Sequence, residues 1–264
     1  MPTVNSKDGT TIAYSKAGSG EPIILVDGAF GHRKFGPNGD LAEQLTPHFT
    51  VYTYDRRGRG ESGDTAPYSI AREVEDIAAL IEACGGSAHI FGISSGAALA
   101  LEAARQNLKI NKLAIYEAPF IVDDTRKALP HNYVARMDDL VAADKRGEAI
   151  KLFMSKGVGV PGIFVFMMQF MPAWKDMKSV AHTLIQDTAL TAKYQQGQPL
   201  SREDWRNVTV HTQVICGGKS PDWMKNGMMM LANTLPDASH YTLDGQTHIV
   251  DAKALAPVLI DYFN

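Results

Sequence analysis

The chain has 264 residues, 45% of them hydrophobic, and a formal net charge of −3. That length fits one α/β domain with an inserted segment better than two equal domains, and it supplies enough apolar side chains for a sizeable core. The balanced charge, without a basic run or an acidic tail, excludes a nucleic-acid footprint, and the longest apolar run, residues 163–168, is too short to span a bilayer.

The polar start, residues 1–8, lacks the apolar core of a secretory leader. Residues 4–5 and 11–15 read as two short strands joined through Lys7-Asp8-Gly9, a hairpin signal. Residues 17–22 read as a loop. The run Ile23-Ile24-Leu25-Val26 has the continuous apolar, β-branched character of a strand buried on both faces. A Gly-rich loop, Asp27 to His32, follows its carboxyl end, and Asp27 is expected to anchor turn N–H groups there. Residues 40–46 read as a helix and 49–54 as an alternating strand, followed by Asp55-Arg56-Arg57-Gly58-Arg59-Gly60-Glu61-Ser62. No Lys-Ser/Thr pair follows those glycines, so the string does not fit a phosphate loop, and its arginines are expected to pair with nearby carboxylates or carbonyls.

Residues 69–83 place Ile70, Val74, Ile77, Leu80 and Ile81 on one helical face, with Ser69 the candidate cap and Gly85-Gly86 the terminator. A strand, turn and helix follow from Ala88 to about Asn107. Residues 113–119 form the next predicted strand, with Glu117 at its carboxyl end. From 120 to 209 the alternation of strand and helix stops and helical patterns run together. The most distinctive part is 163–174, whose Met and Phe side chains suit either an adaptable pocket wall or plain packing. Residues 210–216 are a strand, 224–235 a helix, 238–243 the last strand, and a final amphipathic helix runs through Tyr262. Cys84 and Cys216 have no metal-ligand spacing and read as free thiols of a cytoplasmic protein.

The stretch around which the rest is arranged is 88–100, where Gly92-x-Ser94-x-Gly96 stands between an apolar strand and an Ala-rich helix. Small flanking residues let the backbone fold back sharply and push the serine oxygen into a cleft, while the N–H groups of the helix start point at whatever the serine attacks. In this context the chain resembles the α/β-hydrolase family. The resemblance implies an α/β-hydrolase fold: a mostly parallel central sheet flanked by helices, with a core formed by 1–119 and 210–264 and a helical cap or lid inserted at 120–209. It implies that 55–62 is an architectural turn. It also makes 27–32 the oxyanion loop, although Asp27 stands where the family usually has His. The donors would then be the N–H of Gly28 or Ala29 and that of Ser95, with His32 a candidate substrate contact.

A serine hydroxyl needs a base, and the base needs a third group to hold its tautomer. The family's chain order, serine then acid then histidine, makes His248 the base, because it lies in the loop between the last strand and the last helix. The common acid position, aligned on Gly217, is Ser220, which cannot supply a carboxylate. Two candidates remain: Glu117, the preferred acid on orientation, at a position used by a minority of the family, and Asp222, the alternative acid. Ser94, Glu117 and His248 then imply a serine hydrolase acting on an ester or lactone of a small apolar molecule. The Ser-Ser-Gly elbow and Glu117 are partly similar to the zearalenone-lactonase branch. A cofactor-free haloperoxidase, or perhydrolase, and a carbon–carbon bond hydrolase would use the same three residues. A non-catalytic ligand-binding protein on this fold is the alternative of a different class. No metal or organic cofactor is implied, and oligomeric state is not legible.

Overall fold

The computed structural model describes all 264 residues. Its sheet has eight strands: β1 (Thr3–Asn5), β2 (Thr11–Gly18), β3 (Pro22–Val26), β4 (Thr50–Tyr54), β5 (Ala88–Ile93), β6 (Ile110–Tyr116), β7 (Thr212–Gly217) and β8 (Ala238–Leu243). They lie in the order β1-β2-β4-β3-β5-β6-β7-β8. β1 and β2 are the expected hairpin, and β2 also runs antiparallel to β4; every other pairing is parallel. β2 extends past residue 15 because Lys16 and Ala17 pair with Tyr52 and Val51 of β4. The chain reverses its direction of travel across the sheet at β3, which has β4 on one side and β5 on the other. Such a reversal opens a crevice at the carboxyl ends of the strands, and the loops after β3 and β5 both border it.

The helices are α1 (Asn38–Leu45), α2 (Ile70–Ala83), α3 (Ser95–Arg105), α4 (Tyr133–Ala142), α5 (Arg146–Leu152), α6 (Gly162–Met168), α7 (Ala173–Val180), α8 (Leu184–Thr191), α9 (Arg202–Trp205), α10 (Asp222–Thr234) and α11 (Ala252–Phe263). α2 begins at the expected cap, where the Ser69 side chain accepts from the Arg72 N–H. α2, α3 and α10 cover one face of the sheet, joining Ile77, Leu80, Leu99, Met228 and Leu231 to Ile24, Ile90 and Leu113. α1 and α11 cover the other, packing Leu41, Leu45, Leu259 and Phe263 on Ile23, Phe91 and Ile215. All six residues of β5 are buried, as a central strand covered on both sides requires. Each large aliphatic side chain removed from water in these layers contributes roughly 1.5–3 kcal/mol. No helix is long and apolar enough to cross a membrane.

α4 to α9 lie in a helical region inserted between β6 and β7, which also contains a π-helical turn (Phe153–Val158). Its own apolar cluster includes Leu129, Tyr133, Met137, Ile150, Met177 and Leu184, and it takes in Phe30 from the loop after β3. The 163–174 run meets the packing expectation only in part: Val165 is buried, and Met168 and Trp174 pack against the insert's cluster. Ile163, Phe164, Phe166, Met167, Phe170 and Met171 face solvent, and only Val165 of α6 is buried. The helix is seven residues long, with Pro161 before it and Pro172 beyond it. It is therefore too short and too isolated to turn one full face inward.

Candidate active site

Ser94 sits between β5 and α3 with φ +57° and ψ −126°. A non-glycine residue in that region costs of order 1–3 kcal/mol and persists only where its surroundings hold it. The two flanking glycines are what make the turn possible. A Cβ on Gly92 would come within 2.5 Å of the Gly96 carbonyl oxygen, and one on Gly96 within 2.3 Å of the Val26 oxygen. The turn is therefore wedged between α3 and the end of β3, where no side chain fits. Its other tie is the Ser94 N–H, which donates to the Tyr116 carbonyl at 2.9 Å. Ser95 is the first residue of α3, so its N–H has no acceptor inside the helix and stays free for a ligand.

Across β6, the chain turns at Glu117, which has φ +48° although its N–H still bonds the Ile215 carbonyl of β7 at 3.1 Å. β6 thus ends at Tyr116 rather than running to residue 119, and the left-handed turn carries the fully buried Glu117 side chain toward the His248 loop. Glu117 Oε1 accepts from the Gly217 N–H at 2.8 Å, and Oε2 lies 2.8 Å from His248 Nδ1. Two further contacts fix that loop. The Tyr116 hydroxyl donates to the Thr247 carbonyl at 2.7 Å, and the Lys219 N–H donates to the Gln246 carbonyl at 2.8 Å. His248 is half-buried, with Nε2 free of any protein partner. Ser94 Oγ also makes no protein hydrogen bond, so serine and imidazole are not joined in this arrangement. Such contacts commonly tighten only when substrate binds. Asp222 lies elsewhere. It opens α10, two residues earlier than the helix start expected at 224, and is exposed and paired with Lys225 at 2.8 Å.

The loop after β3 brings Gly28 against the elbow: a Cβ there would stand 2.9 Å from Ser94 Cβ. The N–H groups of Gly28 and Ala29 have no protein acceptor, so the three sequence-derived donors remain available. Asp27 departs from expectation. It is buried, its Oδ1 has no partner and packs against Gly31, and the backbone amide it holds is that of Asn38 at the start of α1 rather than one within its own turn. Burial pushes its carboxyl up to about 7, against the pull of Arg59 and Arg56. His32 bridges to Phe35 at the loop's end, and burial lowers its pKa.

The residue that the sequence did not single out is Asp187, in α8 of the insert. It is fully buried beneath the elbow. Its Oδ1 accepts from Ser95 Oγ at 2.7 Å and from Arg56 Nη1 at 2.9 Å, and its two oxygens take Arg59 Nη2 at 2.9 and 2.8 Å. Arg59 Nη1 in turn donates to the Gly28 carbonyl at 2.6 Å. Burial alone would raise the Asp187 pKa, but Arg59, Arg56 and the Ser95 hydroxyl bring it below its ordinary value. Arg56 also grips Glu73, and Arg57 grips Asp76, so the arginine-rich turn is a set of buried ion pairs. One carboxylate of the insert thereby braces both loops that carry the free amides. Its only sequence signal was the surplus of arginines at 56–59, which demanded more carboxylates than their own neighbourhood supplies. No group of three or more His, Cys, Asp or Glu side chains is placed to hold a metal ion.

Comparison with known proteins finds a match to the model of the alpha/beta hydrolase family over residues 23–253. The crystal structure of an alpha/beta hydrolase from Sphaerobacter thermophilus DSM 20745 is 47% identical, covers 100% of both chains and has a TM-score of 0.92. The enol-lactonase from Burkholderia xenovorans LB400 is 19% identical over 99% of each chain, with a TM-score of 0.71, a likeness of fold. Among curated proteins, ethanol acetyltransferase 1 of Cyberlindnera jadinii is 22% identical, over 92% of this chain and 80% of its own length.

Proposed function

The chain belongs to the alpha/beta hydrolase family, and from that premise we propose that it is a serine hydrolase cleaving a carboxylic ester or lactone of a small, largely apolar substrate. The observation that carries this reading is the strained Ser94 turn, with free amides beside it and the buried Glu117 paired to the half-exposed His248 at the same edge of the sheet. Ser94 Oγ attacks the carbonyl carbon as His248 Nε2 takes its proton. Glu117 holds the Nδ1–H tautomer and stabilises the imidazolium that forms. The N–H groups of Ser95 and of Gly28 or Ala29 receive the oxyanion. His248 then protonates the departing alcohol oxygen, which in a lactone stays tethered to the acyl group. Finally it deprotonates a water that releases the acid from Ser94. The insert, residues 120–209, acts as the cap. Phe30 of the oxyanion loop and Phe153 meet edge to face at 5.5 Å and give the apolar seam on which the insert rests beside Ala29. The exposed side chains of 163–174, from Ile163 to Met171, lend no support for an apolar substrate.

The test is hydrolysis of p-nitrophenyl acyl esters over a range of chain lengths, with Ser94→Ala beside the wild type and a fluorophosphonate label as an independent readout. Wild-type turnover and labelling, both lost in Ser94→Ala, are the expected result. A wild type that neither turns over nor labels overturns the reading. A second reading, acyl transfer to an alcohol, draws support from the name of the Cyberlindnera relative. It shares the acyl-enzyme and differs only in the acceptor, so adding ethanol to the same assay and looking for the ethyl ester separates the two.

A further inference from the structure

Arg126 differs from every other arginine that lies off the exposed surface. Arg33, Arg56, Arg57, Arg59, Arg72, Arg105 and Arg146 each have a carboxylate within 4.0 Å, and Arg126 has none. Its Nη2 donates to the Gly157 carbonyl at 2.7 Å and to the Lys156 carbonyl at 3.1 Å. Its Nε donates to nothing, and its Nη1 is buried with no acceptor at all. Buried donors are almost always satisfied, so an orphan on a cation marks a place where an acceptor is expected. The guanidinium cannot turn away to find one. Its Cζ lies over the Trp223 ring, 4.3 Å from the centroid, and the group also packs against Gly159, where a Cβ would come within 3.2 Å of Nη2 and 3.4 Å of Cζ.

The position matters as much as the missing partner. Trp223 belongs to the first turn of α10, just beyond the β7 loop whose Gly217 N–H holds Glu117. On the other side, Gly157 belongs to the π-helical turn that carries Phe153, and Phe153 packs on Phe30 next to Ala29. Arg126 thus bridges the acid side and the oxyanion side above the carboxyl edge of the sheet. We propose that Arg126 receives a carboxylate carried by the substrate, so that the enzyme acts on esters or lactones whose otherwise apolar body ends in one anionic group. This rests on the serine-hydrolase reading above. A planar guanidinium with a fixed plane and an uncommitted edge matches a planar carboxylate, which a lysine in its place would hold only as a point charge.

The experiment compares two esters of equal chain length: the mono-p-nitrophenyl ester of glutaric acid, which carries the carboxylate, and p-nitrophenyl pentanoate, which does not. Wild type is expected to favour the glutarate ester in kcat/KM. Arg126→Met should lose about 10- to 100-fold on that ester, mostly through KM, and change by no more than about 3-fold on the pentanoate. Arg126→Lys should recover part of the loss. An equal fall on both esters, or a wild type that prefers pentanoate, overturns the proposal and leaves Arg126 a brace between the insert and α10. Glutarate binding to Ser94→Ala by titration calorimetry, lost in Ser94→Ala/Arg126→Met, is a readout that needs no turnover. If wild type hydrolyses neither ester and takes no fluorophosphonate label, the hydrolase reading fails, and that titration still decides Arg126: no glutarate binding in Ser94→Ala overturns it.

Discussion

Replacing Glu117 by Gln keeps the shape of the side chain but takes away one of its two acceptors. In the native site Oε1 accepts from the Gly217 N–H and Oε2 faces His248 Nδ1, each at 2.8 Å, in a position with no exposure to solvent. A glutamine has one oxygen for these two places. If the oxygen stays with Gly217, the amide NH₂ meets Nδ1, which must then be unprotonated, and the ring proton moves to Nε2. That tautomer cannot accept the proton of Ser94. If the oxygen turns to His248 instead, the NH₂ confronts the Gly217 N–H, and an unsatisfied buried donor pair costs about 1–3 kcal/mol. The first arrangement is therefore favoured, and with the tautomer wrong the expected loss in kcat is about 10⁴-fold, or about 5 kcal/mol of barrier. Steady-state hydrolysis of p-nitrophenyl butyrate, with circular dichroism to verify folding, measures it. Asp222→Asn, at an exposed side chain paired with Lys225, should stay within about 2-fold of wild type. A folded Glu117→Gln enzyme within about 10-fold of wild type, or an Asp222→Asn enzyme more damaged than it, refutes the reasoning.

Gly96→Ala places a Cβ 2.3 Å from the Val26 oxygen and 2.5 Å from the Asp27 oxygen, both backbone atoms that cannot yield. It should cost more than about 4 kcal/mol, seen as insoluble expression or a collapsed melting temperature. Asp187→Asn leaves two buried arginines without their shared counter-charge, and a loss of about 3–5 kcal/mol in urea denaturation is expected. Asp27→Asn should flatten a pH dependence of stability. Its carboxyl is raised from 3.8 to about 7 by burial, so between those values the folded chain holds a proton that the unfolded chain has released. Stability from this group is greatest below the unfolded value and is lost as pH rises through the folded one. Urea midpoints at pH 5 and pH 8 should therefore differ less in Asp27→Asn than in wild type.

β3 and β5 were legible as continuous apolar runs and β4 as an alternating one, and the Gly92-x-Ser94-x-Gly96 turn after β5 marked where the cleft opens. Glu117 was legible only as a carboxylate at a strand end. Its left-handed backbone conformation, which aims the side chain at the His248 loop, has no sequence signature in a residue that rarely adopts it. The fate of the 163–174 run was illegible for a different reason. Its apolar composition suits a pocket wall, a core face or an outward surface alike, and the choice depends on how α6 is carried by its neighbours. Asp187 was hidden because its partners, Arg56, Arg59 and Ser95, are about ninety to 130 residues away in sequence, and such pairings are set by tertiary packing.

That same pairing divides the insert mechanically. α8 is held to the elbow by a carboxylate shared among Arg56, Arg59 and Ser95, and pulling it away would strand the buried Arg59 and leave Arg56 with Glu73 alone, at a cost of about 3–5 kcal/mol. α6 has no comparable tie, with Val165 its one buried residue and glycine or proline on either side. Opening the insert as one rigid body would therefore disturb the amides it braces, and the expected motion is of its outer part. Amide hydrogen exchange tests this directly. The α8 amides should exchange only through global unfolding, and those of α6 through local opening with a far smaller free energy. Equal protection across the two helices would show that the insert opens, or stays closed, as a unit.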